Sequence, residues 1–425
     1  MMTIFLTFLQ IFSFPINFLP EILNSSRVSG VILIFICLFN KNARIEIFKL
    51  FKYTKIIIIF YFLLGIILFA IVVTLLHGAN DFTIISSFIN QILMLIITIL
   101  LCGYLIYKRK DISQQIIFAF ICQSLIQLSS MISPSIREIF NTFRNQNAID
   151  VGMGYGNIRA LGLSGSAFFG LGVGYAICYV IYLFNWEKLP FKNNLIKMLI
   201  LCLLIVGGQS AARTSIVGLV FGILLIIVSR KVPIIPSFKP KSQKFYLLTV
   251  TSVTIIPIII YKVFKNLSDN TLKVIETYKN FVLQIFYNYN NTGSFSTNST
   301  NVLFNRMYFM VPYQTFIFGD GKYTDFSGKY YMETDAGFMR NILFWGAIGT
   351  LISFLYQLLF FDWKNKRKKF FNLTILLTLI VCHIKGEVIS YLIISQVLVI
   401  MLLIESLNER NLERERISFS NNDSL

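Results

Sequence analysis

The sequence predicts an all-α, polytopic membrane protein of about twelve transmembrane helices with one large helical outer loop. Three observations lead there. Of the 425 residues, 56% are hydrophobic and only 14% charged, with a mean hydropathy of +0.70. A soluble chain of this length needs a polar coat that this one lacks, so the bilayer is its solvent. Uncharged runs such as 56–76 and 86–107 are long enough to cross roughly 30 Å of hydrocarbon as helices. The Lys and Arg residues behind the net charge of +18 fall in short clusters between apolar runs. That is the positive-inside pattern of a membrane protein, and nucleic acid is not an expected partner.

The basic clusters are Lys41, Arg44, Lys49, Lys52 and Lys55; 108–110; Lys188 and Lys192; 230–244; 364–369; and the tail after 405. Placing all of them in the cytoplasm puts both termini inside and gives spans near 3–19, 28–40, 56–76, 86–107, 112–134, 161–184, 195–211, 214–229, 245–264, 338–361, 370–384 and 388–404. Residues 1–19 carry no basic n-region and no small-residue cleavage site, so they read as a retained first span. The organisation expected is an N-terminal membrane region at 1–134, a central region at 135–264 and a large extracytoplasmic loop at 265–337. A C-terminal membrane region follows at 338–404, then a cytoplasmic tail at 405–425. Cys37, Cys102, Cys122, Cys178, Cys202 and Cys382 all lie in apolar runs without metal-site spacing, so they read as core-filling residues.

Two outer loops exceed a few residues, 135–160 and 265–337, and a loop of the second length usually carries function or is disordered. Its first part offers Ser268 and Asp269 as caps and sets Leu272, Ile275, Tyr278, Val282, Ile285 and Phe286 on one helical face. That pattern suits an amphipathic helix lying on the membrane surface or over a cavity. A polar break at 288–301 precedes a second apolar segment, 302–318.

Arg159 at the start of the sixth span, Arg213 between the seventh and eighth, and Arg306 in the long loop border or interrupt apolar sequence on the outer side. An arginine at a membrane boundary is costly, so each has either a ligand or a bland role as a snorkelling anchor. Arg213 resists the bland reading best, because GGQSAARTS packs small residues around it. Outward guanidinium groups suit an anion held by bidentate hydrogen bonds, above all a lipid phosphate. In ETDAGFMRNILFWGAIG (333–349), Glu333 and Asp335 lie just outside the tenth span and Arg340 within its first turns. Asp335 reads equally as a helix cap and as a general base toward a sugar hydroxyl. Asp320 and Asp325 read as turn residues, and His77 and His383 are too isolated for a metal or a triad.

Four pieces in this order resemble the O-antigen ligase and polymerase superfamily. NIRALGLSGSA (157–167) is similar to its Arg-x-x-Gly run, matched by Arg159 and Gly162. SAARTSIVGL (210–219) is similar to its Ser-Arg turn, matched by Arg213 with Ala212 in place of the adjacent Ser. NRMYFMVPYQTFIFGDG (305–321) supplies Arg306 and a loop motif of Gly319 and Gly321, and DAGFMRNILFWGAIG (335–349) supplies Gly346 and Gly349. The resemblance covers roughly 150–350. Ligases of the superfamily carry a His-Asn or His-Ser pair near Asp335, and this loop contains no His, which favours a Wzy-type polymerase.

The resemblance implies a GT-C-like fold in the cytoplasmic (inner) membrane with its active site facing outward. It implies metal-independent, inverting glycosyl transfer without a cofactor. Asp335 or Glu333 would be the base, and Arg159, Arg213, Arg306 and Arg340 would hold the diphosphate. The partners implied are undecaprenyl-diphosphate-linked glycans, membrane lipids and a chain-length regulator. The alternatives are a ligase and, from a different class, a lipid-linked oligosaccharide flippase. A flippase is not expected to carry a long ordered outer loop, and no internal repeat points to a transporter.

Overall fold

The structure is a computed structural model that describes residues 1–16, 20, 23–144, 146–154, 159–231, 276–280, 283–293 and 297–422. Its main helices are α1 (Met2–Phe12), α2 (Ser25–Phe39), α3 (Lys41–Phe51), α4 (Thr54–Leu76), α5 (Thr83–Tyr107) and α6 (Ile112–Ile132). They continue with α7 (Pro134–Asn141), α8 (Gln146–Gly154), α9 (Phe168–Phe184), α10 (Asn194–Ala211), α11 (Ile216–Lys231) and α12 (Gln284–Thr292). After the short α13 (Asn298–Val302) and α14 (Tyr313–Phe318) come α15 (Gly337–Leu359), α16 (Lys369–Lys385) and α17 (Ile393–Asn422). Among the described residues there is no β-strand, only an isolated bridge between Thr324 and Tyr330.

The protein is thus an α-helical membrane protein. Five helices, α4, α5, α6, α10 and α15, are long and apolar enough to cross a bilayer, and α1, α2, α9 and Arg213–Val228 are shorter apolar helices. The expected spans overlap helices over part or all of their length except 245–264, which lies outside the described residues, as do Ser268, Asp269, Leu272, Ile275 and Val282. Four boundaries differ from expectation, one of them the start of the last span, since α17 begins at Ile393 instead of 388. α1 stops at Phe12, because Ser13 turns into the left-handed region (φ 41°) and Pro15 follows. α9 begins at Phe168 instead of 161, since Gly162 is left-handed and Gly165 donates its N–H to the Phe12 carbonyl at 2.8 Å. The tail after 405 is helical to Asn422 and continuous with α17.

The chain forms two compact units. The first comprises Met1–Ile11, Ser26–Ile116 and Met307–Leu425. Within it α4 buries Ile56, Ile59, Leu63, Ile66 and Ala70 while Ile58, Tyr61, Leu64, Leu68 and Val72 stay exposed, the two-sided apolar surface of a helix meeting protein on one side and lipid on the other. The basic cluster at 41–55 holds an unexpected amphipathic helix, α3, capped by Asn40 and burying Ala43, Ile47 and Leu50 at helical spacing. Near the start of α16, Lys368 pairs with Glu405 (3.0 Å) and Glu409 (2.9 Å), and Arg410 pairs with Asp362 at 2.7 Å. A largely buried charge is tolerated when paired in this way.

The loop between α16 and α17 is buried, with Val388, Ile389 and Ser390 at most 1% exposed. Its backbone is therefore satisfied by side chains. His383 Nδ1 accepts from the N–H groups of Val388 (3.0 Å) and Ile389 (3.2 Å), and Gln357 accepts from Ser390 N–H at 3.0 Å. Gln91 donates to the carbonyls of Ser390 (2.7 Å) and Tyr391 (3.2 Å). Irregular backbone in a membrane protein persists where protein satisfies it in this way. Because Nδ1 accepts two bonds, the ring proton of His383 sits on Nε2, 3.2 Å from the Asn341 amide.

The second unit comprises Phe12–Ser25 and Ile117–Arg306. Its centre is α9, whose residues from Leu171 to Leu183 are buried on every side. Small residues let α10 and α11 approach it. A Cβ on Gly218 would lie 2.0 Å from the Ala176 carbonyl oxygen, and one on Gly208 would lie 1.9 Å from the Tyr179 hydroxyl. On α6, Gln123 donates to the Leu161 carbonyl (2.5 Å) and Gln127 to that of Ala160 (2.6 Å). These two glutamines fix the irregular segment that carries Arg159.

Candidate functional site

A polar concavity in the second unit is open to solvent. Ser130, Arg137, Asn141, Arg144, Ile149, Gly152, Arg159, Ala160 and Phe168 line it, so the lining carries three arginines and no acid. Each guanidinium is held by a local feature of the sequence. Arg137, on α7, donates to the carbonyls of Ser130 (2.9 Å) and Met131 (3.1 Å), the last carbonyls of α6 that lack a helical partner. Arg144 sets Nε and Nη2 on the Gly162 carbonyl at 3.1 and 3.0 Å and Nη1 on Asn141 Oδ1 at 2.9 Å. Gly162 has φ +57°, and a Cβ there would meet Gln123 at 2.7 Å, so only glycine turns its carbonyl toward Arg144 without strain. Arg159 lies over the Phe168 ring, 4.7 Å from its centroid.

The electrostatic consequence is a concentration of positive charge in a partly desolvated concavity. Burial lowers the proton affinity of Arg137, and burial together with the like charge of Arg137 pushes Arg144 down to about 10. Both still carry a proton at neutral pH, and an anion in the pocket would relieve their repulsion. Arg137 and Arg144 also have a structural role, as cap and as clamp. Their positions are fixed by those bonds, while their charge remains available to a ligand.

The other arginines take separate places. Arg213 lies in a single 3₁₀ turn, Arg213–Ser215, between α10 and α11, and its Nη1 donates to Gln284 Oε1 on α12. The long loop therefore reaches Arg213, and Tyr278 from the same loop donates to the Val206 carbonyl at 3.3 Å. Arg306 is exposed in a π-helical turn, Leu303–Met307. Neither Arg213 nor Arg306 lines the pocket of Arg159.

In the first unit, Gly319, Gly321 and Gly346 build one backbone junction. α15 breaks at Gly346 (φ 68°), which exposes the carbonyls of Leu343 and Phe344. These accept from the N–H groups of Asp320 (2.7 Å) and Gly321 (3.0 Å). A Cβ on Gly346 would lie 2.0 Å from the Ile317 carbonyl oxygen, and one on Gly319 would lie 2.3 Å from that of Phe344. The glycines serve architecture here, setting the chain for the segment 322–335.

That segment is folded by carboxylates. Asp325 closes a turn by accepting from the N–H groups of Ser327 (2.9 Å) and Lys329 (2.8 Å), as its turn reading expects. Asp81, between α4 and α5, accepts through Oδ2 from Tyr323 N–H (2.7 Å), Thr324 N–H (2.6 Å) and the Thr324 hydroxyl (3.1 Å). Met332 and Glu333 are consecutive left-handed residues (φ 55° and 51°), each costing about 1–3 kcal/mol in such a conformation. Glu333 is exposed.

Asp335 is half-buried, and it does not cap α15. The N-cap is Ala336 and no side chain caps that end. Its Oδ1 is buried without a hydrogen-bond partner. Burial pushes its carboxyl above the usual range, against the opposing charges of Lys385 and Arg340.

Arg340 is only 6% exposed and pairs through Nη1 with Glu387 Oε2 at 3.6 Å. Tyr323 and Tyr330 flank its guanidinium, with centroids 3.9 and 3.7 Å from Cζ, and the Tyr323 hydroxyl donates to Glu387 Oε2. Burial pushes the Glu387 carboxyl up, while Arg340 and Tyr323 favour its ionised form. Arg340 Nε and Nη2 are buried with no acceptor.

Sequence reasoning passed over Arg137, Arg144 and Glu387. The first two lie seven residues apart in the shorter of the two expected outer loops, within polar sequence, and the signal was their number in so short a loop. Glu387 interrupts apolar sequence between the last two spans, and an acid there was the signal. No family model, no curated protein and no solved structure matches the chain.

Proposed function

We propose that the protein polymerises lipid-diphosphate-linked oligosaccharide repeat units on the outer face of the cytoplasmic membrane, as a twelve-span glycosyltransferase of the GT-C-like class. The observation that carries the reading is the concavity lined together by Arg137, Arg144 and Arg159, on the membrane protein's expected outward side. Its charge suits the diphosphate of a lipid-linked glycan.

In the reaction, an acceptor sugar hydroxyl attacks the anomeric carbon of the donor glycan. The bond from that carbon to the diphosphate oxygen breaks with inversion, and the hydroxyl proton passes to a base. Negative charge grows on the departing diphosphate, where fixed guanidiniums stabilise it more in the transition state than in the ground state. Asp335, in the first unit, is the candidate base on its own environment alone: its carboxyl holds a proton more readily than an ordinary aspartate and its Oδ1 has an open acceptor position. Arg213, tied to the long loop through Gln284, is the candidate for ordering that loop around bound substrate.

The test is glycan chain length in a deletion strain complemented with wild type, Arg159→Lys or Arg144→Lys at equal protein levels. Loss of polymer with single repeat units retained supports polymerisation. Repeat units trapped on the inner face support a flippase, and full-length polymer left unattached to its final acceptor supports a ligase.

A further inference from the structure

The least explained group in the first unit is Arg340. It is more than nine-tenths buried, yet only Nη1 faces an acid, and Nε and Nη2 meet no acceptor. A buried donor left unpaired is costly, and native interiors rarely leave two on one side chain. Both atoms are inaccessible to bulk solvent.

Geometry says what would fit. In a guanidinium, Nε–H and one N–H of Nη2 point the same way along one edge, a fork matched to two oxygens of a single carboxylate or phosphate. Glu387 lies toward the other end, at Nη1, and so leaves that edge open. Tyr323 and Tyr330 cover the two faces of the plane, so the guanidinium cannot rotate its fork away. Tyr323 is itself anchored by Asp81 through its N–H and by Glu387 through its hydroxyl. Tyr330 differs: it is 48% exposed and is followed by the left-handed pair Met332 and Glu333.

We infer that the Nε/Nη2 edge of Arg340, flanked by Tyr323 and Tyr330 and held by Glu387, is a binding site for an oxyanion, the phosphate of a lipid diphosphate or the carboxylate of an acidic sugar. Binding needs no turnover, so the inference stands independently of the polymerase reading.

The experiment uses the purified full chain in lipid nanodiscs, titrated with inorganic pyrophosphate, with glucuronate, and with sodium chloride at matched ionic strength. The readout is hydrogen–deuterium exchange of peptides covering 321–341, which reports this site and not the arginine pocket of the other unit. Saturable protection in the millimolar range or tighter is expected from at least one oxyanion and not from chloride. Protection by pyrophosphate assigns a phosphate ligand, protection by glucuronate assigns an acidic sugar, and protection by both assigns a site open to either. Arg340→Lys keeps the charge opposite Glu387 but loses the fork, and should weaken protection at least about tenfold. Tyr330→Ala leaves the Arg340–Glu387 pair in place and should weaken it several-fold, which preserves the test if the Lys variant does not fold. No protection from either oxyanion, or undiminished protection in folded Arg340→Lys or Tyr330→Ala, overturns the inference.

Discussion

Asp81 holds the outer segment at 323–324, and removing it should loosen that segment by an amount the structure sets. Its Oδ2 accepts from two backbone N–H groups and one hydroxyl, and its Oδ1 accepts from Thr83 N–H at 3.1 Å. Bonds to a charged acceptor contribute about 1.5–3 kcal/mol each when buried, and partial exposure of Asp81 reduces that. Asp81→Ala should then lower the local opening free energy by about 2 kcal/mol, which corresponds to roughly 30-fold faster exchange at the Tyr323 and Thr324 amides. Asp81→Asn keeps one acceptor without the charge and should fall between. The pH dependence has a definite sign. Burial pushes the Asp81 carboxyl up, but hydrogen bonds from Thr324, Thr83 and Tyr323 outweigh it and hold it below the usual range. A depressed folded value means the stabilisation is complete above the ordinary aspartate value of about 3.9 and is lost as pH falls through the depressed one. Hydrogen exchange by mass spectrometry at pH 7 and pH 4 should therefore find the clasp intact at both. Exchange in Asp81→Ala within about twofold of wild type at these amides would refute the reasoning.

Three further outcomes are expected. Asp335→Asn should fold at least as stably as wild type at pH 7, because a carboxyl raised by burial is stabilised by losing its charge, yet turn over on the order of a hundredfold more slowly if the carboxylate is the base. Its melting temperature and single-enzyme turnover check both halves, and wild-type rates would remove Asp335 from the chemistry. Gly346→Ala should sharply reduce the yield of folded protein by size-exclusion chromatography, since the new Cβ would sit 2.0 Å from the Ile317 carbonyl oxygen at φ +68°. Arg213→Lys should lose the bond to Gln284 and cut polymer severely at normal protein levels, measured by glycan electrophoresis.

The helices were legible because lipid-facing sequence has one requirement, sustained apolarity, which runs such as 56–76 and 86–107 state without ambiguity. What misled was apolar sequence without helix. Residues 161–167 read as the start of a span, but the left-handed turn at Gly162 and the close approach of Gly165 to Ser13 are tertiary facts with no period of their own. The basic cluster at 41–55 misled in the other direction. Its charges read as a marker of the cytoplasmic side, and its weaker pattern of Ala43, Ile47 and Leu50, which builds α3, was hidden beneath them.

The sites show why arginines are easier to find than their uses. Arg159 and Arg213 stand out because a guanidinium beside apolar sequence needs a reason, and the sequence displays both the residue and its surroundings. Which groups stand beside it depends on contacts across long intervals of chain. Arg144 reaches the Gly162 carbonyl, and Arg340 meets Glu387, a residue 47 positions away that its own neighbourhood marks only as an acid amid apolar sequence. The same logic separates the two readings of Asp335, which local spacing left level. A cap is a local matter, and its absence at Ala336 leaves an aspartate whose burial, proton affinity and empty Oδ1 have no structural use. Arg340 presents the complementary case, with two donors unused where Asp335 has an acceptor unused, about eight-tenths of a helical turn beyond the start of α15. A ligand carrying both an oxyanion and a hydroxyl would satisfy both residues, and an acidic or phosphorylated sugar carries both.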